Sequence, residues 1–233
     1  YTPDINLDDY AMPRCRGVTQ WQHPDNSSND ACHSIIIAPL MNAKVIGLDA
    51  HTGQRCHFGA VAEINLREGL RPHAPGDYTL NTPPAILGNL LITGAAVADN
   101  ISVDVPSGVV RAYDLLTGQL TWAWDPVPPS VEDRASQDSA EAQALVTSED
   151  GAAATAHIQG KAGPYQPGTS NVWSFISVDE KLNRVYVPTG NTSPDYYGGH
   201  RNGSDFYSSS VVALEANTGN VIWHYQTVHH DIW

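Results

Sequence analysis

Along most of this chain, short runs of apolar residues alternate with polar ones, and the runs come in pairs joined by a Thr-Gly step. Three stretches share the pattern: 44–54, 110–122 and 212–223. Each is an apolar strand, an acidic residue, a Thr-Gly pair (Thr52-Gly53, Thr117-Gly118, Thr218-Gly219) and a second strand. A glycine between two alternating runs predicts a hairpin, because it takes up the positive φ of a tight turn without a steric cost. The second and third copies close on Trp122 and Trp223; the first has His57 at that place and is the weakest. The turn glycines are 65 and 101 residues apart. Both gaps exceed the roughly 40–50 residues of one propeller blade, so the extra chain must lie in loops.

Further strands are predicted at Ser34–Leu40, 85–93, 173–178 and Arg184–Pro188, with 85–93 and 179–188 each reading as strand, turn, strand. No stretch carries a long apolar face of period 3.6, so little helix is expected. Residues 126–168 are rich in Ser, Ala, Asp, Gly and Pro and read as a long surface insertion. Four-stranded units repeated around an axis make a β-propeller. The prediction is an all-β fold, a partial propeller domain over residues 1–233 with about three to four blades, too few to close a ring. A β-sandwich with coincidental hairpins is the alternative.

Composition narrows the function. The content is 41% apolar with only 16% charged residues, which suits a turn-rich β protein. A net charge of −13 and only three lysines (Lys44, Lys161, Lys181) exclude nucleic acid as the expected partner, since phosphate binding needs clustered cations. Apolar runs fall short of the roughly 18 residues of a membrane span. No signal peptide is visible, and neither Tyr1 nor Trp233 looks like a natural terminus, so the chain is read as a piece of a longer one. Cys15, Cys32 and Cys56 lack CxxC spacing, which argues against zinc. One disulfide, with Cys32–Cys56 as the candidate pair, or buried free thiols both remain open.

The Thr-Gly-x-x-x-Trp hairpins resemble the tryptophan-docking motifs of the quinoprotein dehydrogenases, enzymes of eight blades that use pyrroloquinoline quinone (PQQ). Other stretches carry the same resemblance: Cys15-Arg-Gly-Val; Val97-Ala-Asp-Asn followed by Gly108-Val-Val-Arg-Ala-Tyr-Asp; Val187-Pro-Thr-Gly-Asn-Thr-Ser-Pro-Asp; and Thr227-Val-His-His-Asp-Ile-Trp. The match is closest to the membrane-bound glucose, polyol and quinate dehydrogenases. The soluble methanol enzymes carry adjacent cysteines before the Arg-Gly, whereas here Cys15 stands alone.

The resemblance implies a site. Asp99 and Asn191 would supply oxygen ligands to Ca²⁺ (or Mg²⁺), with Asn100 and Ser193 as weaker candidates; such a cation takes hard oxygen donors. Alone, Asp99-Asn100 reads as an Asx turn. Arg16 would pair with a cofactor carboxylate, as a guanidinium does bidentately, though a surface arginine is the plain alternative. Trp173 would be the flat floor under the quinone, or else a core residue. Thr82 would hydrogen-bond the cofactor, and His23 or Trp21 would cover its other face.

Trp122 and Trp223 are assigned to blade docking. Adjacent residues of a strand face opposite ways, so His229 and His230 are expected to pack at the site's mouth rather than share an ion. The base is not Asp231 but an aspartate expected directly after Trp233, so no catalytic base is assigned within the chain, which alone should be inactive. The implied activity is PQQ-dependent oxidation of a sugar or polyol hydroxyl, with electrons passed to membrane quinone. The implied location is the periplasm, with a membrane anchor outside this chain. A non-catalytic propeller scaffold for protein interaction is the rival, and a polysaccharide-binding propeller using Tyr196 and Tyr197 a third reading.

Overall fold

A computed structural model describes residues 2–25, 30–100, 102–129, 163–201 and 204–232. The first sheet contains β1 (Thr19–Gln22), β2 (Ser34–Leu40), β3 (Lys44–Asp49) and β4 (Arg55–Cys56), with β5 (Ile64–Asn65) also pairing with β3. A two-stranded ladder joins β6 (Tyr78–Thr79) to β9 (Ala96–Val97). The second sheet is β7 (Ala85–Leu87), β8 (Leu90–Thr93), β10 (Val110–Asp114) and β11 (Leu120–Trp124). The third is β12 (Ser177–Asp179), β13 (Arg184–Pro188), β14 (Ser210–Glu215) and β15 (Val221–Gln226). Within each sheet every pairing is antiparallel between strands that follow one another in the sheet. The opening strands converge, with β7 lying against both β1 and β12. These are three blades of a propeller left open, as the repeat predicts.

The Thr-Gly turns form by the same local chemistry. Gly53, Gly118 and Gly219 take φ values of 69°, 73° and 74°. Each donates its N–H to the carbonyl of the acidic residue four positions earlier, Asp49, Asp114 or Glu215, at 2.7–2.9 Å. In the first two turns the aspartate carboxylate also accepts the N–H and hydroxyl of Thr52 or Thr117. The acidic residue is therefore part of the turn itself.

Packing between blades depends on what meets the next turn. Trp122 is fully buried, and its indole N–H donates to the Ala216 carbonyl at 2.7 Å. A methyl group on Gly219 would stand 2.5 Å from its ring, so glycine is required by contact as well as by φ. Trp122 docks the second blade on the third as expected. Trp223 is 37% exposed and leans on Tyr186 of its own sheet; no docking partner meets it among the described residues.

In the first copy His57 is exposed and its neighbour Phe58 is buried. The Phe58 ring turns back against Gly47, while the Phe58–Val61 backbone turn packs on Gly118. A backbone turn thus replaces the aromatic at this junction. Two cores fill the gaps between sheets. One contains Trp21, Ile35, Val45, Phe58, Leu91 and Leu115, the other Ile92, Val110, Trp122, Val185, Val212 and Leu214.

Cys32 and Cys56 form a disulfide that ties the β1–β2 connection to β4, which resolves the two readings; Cys15 is free and exposed. Residues 130–162, the bulk of the expected insertion, lie outside the described residues. Its two flanks meet at one point: the N–H of Gln166 donates to the Asp125 carboxylate at 2.6 Å, and Tyr165 is buried. The expected strand at 173–178 starts only at Ser177. Residues 173–176 belong to no ladder, and Trp173 instead lines a cavity.

Candidate active site

Five stretches meet at one cavity: 10–16, 76–81, 96–100, 171–173 and 190–195, the second and third of them carrying the short β6–β9 ladder. Together with Met41, Ser209 and Asp231 they line a cavity of about 580 Å³. Close backbone approach makes this possible. A methyl group on Gly108 would fall 1.9 Å from the Ser170 carbonyl oxygen, and one on Gly94 2.4 Å from that of Val172. The two glycines let the 170–172 segment run against the second blade, which delivers Trp173 to the cavity wall.

Trp173 is 45% exposed, an unusual state for a tryptophan outside a binding surface. The Arg16 guanidinium lies 5.1 Å from its ring centroid and donates to its carbonyl at 3.4 Å. The Arg16 backbone N–H is fixed on the Asn81 carbonyl at 2.8 Å. Arg14 also lines the cavity, which therefore holds two cationic side chains. Thr82 does not reach the cavity: it is buried, with its hydroxyl donated to the Trp173 carbonyl at 2.7 Å. Thr79 and Asn81 line the wall in its place. Trp21 and His23 also lie elsewhere, stacked edge to face with the Trp21 ring inside the first core.

The same cavity is also acidic, lined by Asp99, Asp195 and Asp231. Asp99 accepts a short hydrogen bond from the Asn171 amide at 2.6 Å. Burial pushes its carboxyl above the ordinary range, against that bond. The Asp99 carbonyl accepts the N–H of Asp195 at 2.9 Å, and Asn100 reaches the Asp195 carboxylate at 3.5 Å, so the two loops are pinned together. Asp195 is pushed up to about 6, first by burial and then by the neighbouring charges of Asp99 and Asp231, with Arg201 opposing.

Asn191 is buried, and its amide oxygen accepts the Ser209 hydroxyl at 2.6 Å. That hydroxyl also stands 2.8 Å from the Asp231 carboxylate. Ser209 holds a φ of 46°, the left-handed region where a serine is strained. Ser193 is buried away from the cavity. His229 and His230 are exposed, face Gln226 and Asp205, and do not line the cavity.

Asp99, Asn191, Arg16 and Trp173 therefore share one cavity, whereas Thr82 and Ser193 stand behind its wall. Reading the sequence missed Asn171, Asp195 and the wall position of Asp231. Asp195 sits at the end of the quoted Gly-Asn-Thr-Ser-Pro-Asp loop, where a carboxylate one residue after proline was the available signal.

The donors fit a hard divalent cation. Three carboxylates line the cavity, burial disfavours the charged form of Asp99 and Asp195, and the buried oxygens Asn171 Oδ1 and Asp195 Oδ1 have no hydrogen-bond partner among the described residues. Among the described residues no cysteine or histidine lines the cavity, which disfavours softer metals. The cationic and aromatic part of the lining suits a flat anionic group. Among the described residues one further metal-type cluster occurs, Cys32, Asp49 and Cys56, and its sulfurs are joined in the disulfide.

Comparison with known proteins decides the family. All 233 residues match the β-propeller domain described as PQQ, glucose/ethanol/alcohol dehydrogenase. The chain belongs to this PQQ propeller family.

Among curated members of the PQQ propeller family, the chain is 35% identical to quinoprotein glucose dehydrogenase of Gluconobacter oxydans, over 100% of this chain and 27% of the relative. It is 30% identical to quinate/shikimate dehydrogenase (quinone) of Acinetobacter baylyi, over 99% of this chain and 28% of the relative. The chain thus spans little more than a quarter of the length of these relatives. Among solved structures, quinohemoprotein alcohol dehydrogenase from Comamonas testosteroni superposes with a TM-score of 0.58 at 27% identity, covering 85% of this chain and 27% of that one. A europium-containing methanol dehydrogenase shares the fold, with a TM-score of 0.63 at 19% identity over 100% of this chain and 36% of that one.

Proposed function

We propose that the protein is a PQQ-dependent dehydrogenase that oxidises a hydroxyl group of a sugar or polyol and passes the electrons to membrane quinone from the periplasmic face, with its membrane anchor outside this chain. The observation that carries this reading is the mixed lining of one cavity, which brings Arg14, Arg16 and Trp173 together with Asp99, Asn191, Asp195 and Asp231. A scaffold that binds only proteins would gain nothing from three carboxylates lining one cavity, two of them disfavoured by burial in the charged form, an arrangement that costs stability unless a cation offsets it.

When bound, PQQ supplies the two-electron acceptor and Ca²⁺ or Mg²⁺ the Lewis acidity that such chemistry uses. The rest falls to the chain. Arg16 would bind a cofactor carboxylate with a charge-assisted pair that a lysine does not reproduce. Trp173 would hold a planar ring by stacking and exclude water from one face. Asp99, oriented by the Asn171 amide, and Asn191, held by Ser209, would hold the cation. The substrate hydroxyl proton would go to the aspartate expected directly after Trp233, a positioned general base.

The test is turnover by the complete gene product. Loaded with PQQ and Ca²⁺ or Mg²⁺, it should reduce an artificial dye with at least one of glucose, quinate or glycerol, and the rate should vanish when either addition is omitted. No turnover with any hydroxyl substrate, together with no PQQ binding, would overturn the proposal.

A further inference from the structure

Two of the acidic wall residues, Asp195 and Asp231, sit on backbone that no ladder holds. Residues 191–197 and 228–232 belong to no strand, and Tyr196, Tyr197, Val228 and Ile232 are all exposed. Asn100 and Ser209 reach the Asp195 and Asp231 carboxylates, and Ser209 also joins Asn191 to Asp231. The backbone of both stretches is bound by one buried side chain, Arg201.

Arg201 does not line the cavity and is only 3% exposed. Its Nη2 donates to the carbonyls of Pro194 at 3.0 Å and Asp195 at 2.9 Å. Its Nη1 donates to the Asp205 carboxylate at 2.9 Å and to the carbonyl of Asp231. One rigid guanidinium plane thus gathers four acceptors from three separate stretches of chain. Asp205 aims that plane, since its other carboxylate oxygen is held by His230 Nδ1 at 2.8 Å. The Asp205 backbone is in turn fixed by Gln226, which donates to its carbonyl at 2.6 Å. A buried cation is costly without a partner, and Asp205 supplies one.

We infer that Arg201 is a positioning residue of the proposed active site: its fork sets the relative placement of the backbone at Asp195 and Asp231. This rests on the functional reading above and adds a role for a residue that touches neither cofactor nor substrate. Arginine is needed for its shape. A lysine would keep the charge beside Asp205, but a single ammonium on a flexible stem cannot present parallel N–H groups to carbonyls on two strands of loop. Loss of the fork leaves the cavity walls and their chemical groups in place but lets the two segments drift, and misplacement by about 1 Å can cost on the order of a hundredfold in rate.

The experiment uses the complete gene product and measures kcat per bound PQQ, PQQ affinity by quenching of tryptophan emission, and thermal midpoint. Arg201→Lys should lower kcat by about tenfold or more while PQQ affinity stays within about twofold. Asp205→Asn, which leaves the guanidinium in place but unaimed, should lower kcat in the same direction by a smaller factor; it provides the decision if Arg201→Lys does not fold. Wild-type kcat per loaded site in Asp205→Asn, or in a folded Arg201→Lys, would overturn the inference. So would a loss of thermal midpoint and PQQ affinity with kcat per loaded site unchanged, which is what a merely structural arginine predicts. A wild-type protein that binds no PQQ and turns over no substrate would overturn the functional reading and this inference with it.

Discussion

Replacing Trp122 by alanine removes the contact that joins the second blade to the third. The ring is fully buried against the Gly219 turn, and its N–H is the donor to the buried Ala216 carbonyl. Deleting a buried tryptophan costs about 3–5 kcal/mol through lost burial and the cavity left behind, and leaving a buried carbonyl without its donor adds about 1–3 kcal/mol. Trp122→Phe should cost less, about 1–2 kcal/mol, because it keeps most of the apolar contact and loses the donor. Gly219→Ala attacks the same contact from the other side. Its new methyl would stand 2.5 Å from the indole and its φ of 74° disfavours any side chain, so strain alone costs about 1–3 kcal/mol before the clash.

The decisive quantity is the coupling. In a Trp122→Ala background the clash is gone, so Gly219→Ala should cost about 1–2 kcal/mol less than in wild type. Urea denaturation of the four proteins, followed by near-ultraviolet circular dichroism, measures it. Additive costs, or a Trp122→Ala cost below about 1 kcal/mol, would refute tryptophan docking as the basis of the blade junction.

Two further predictions concern the first blade. The Cys32–Cys56 bridge closes a loop with a sequence separation of 24; replacing both cysteines with serine should lower stability by about 3 kcal/mol, and equal urea midpoints with and without reductant would contradict this. The Asp49 carboxyl is lowered from 3.8 to about 2, first by the Cys32 N–H and then by the hydroxyl and N–H of Thr52. A depressed carboxyl stabilises the fold only while it is ionised in the folded state and would also be ionised in the unfolded one. The stability difference between wild type and Asp49→Asn should therefore be constant above about pH 4 and shrink as the pH falls toward 2; a difference independent of pH across that window would show that the carboxylate is not its source.

The hairpins were legible because turn chemistry is local. An acidic residue, Thr and Gly at fixed offsets specify the turn whatever the rest of the chain does, and Ser34–Leu40 and Arg184–Pro188 fall where the apolar runs place them. The failures have tertiary causes. The apolar pattern at 173–178 predicts a strand, yet the strand starts only at Ser177 and Trp173 is 45% exposed, because it serves a cavity wall rather than a sheet face.

His57 was compared with the docking tryptophans, whereas the junction there is made by the Phe58–Val61 turn. Thr82 missed the cavity by a single residue, since its hydroxyl supports Trp173 from behind while Asn81 faces in. In the candidate site, Asp99 and Asn191 were readable from motifs. Asn171 was not, because its bond to Asp99 spans 72 residues of sequence and exists only once the 170–172 segment has packed on Gly94 and Gly108.

In the proposed site Asp99 and its neighbours would hold a divalent cation that secures PQQ, with Trp173 against its ring. Titrating PQQ into the complete, cation-depleted gene product, with and without added Ca²⁺ or Mg²⁺, and following tryptophan emission tests it without relying on turnover. Saturable quenching should require the cation, and Asp99→Asn should weaken it by about 10–100-fold. Equally tight binding without the cation, or unchanged affinity in Asp99→Asn, would contradict the account.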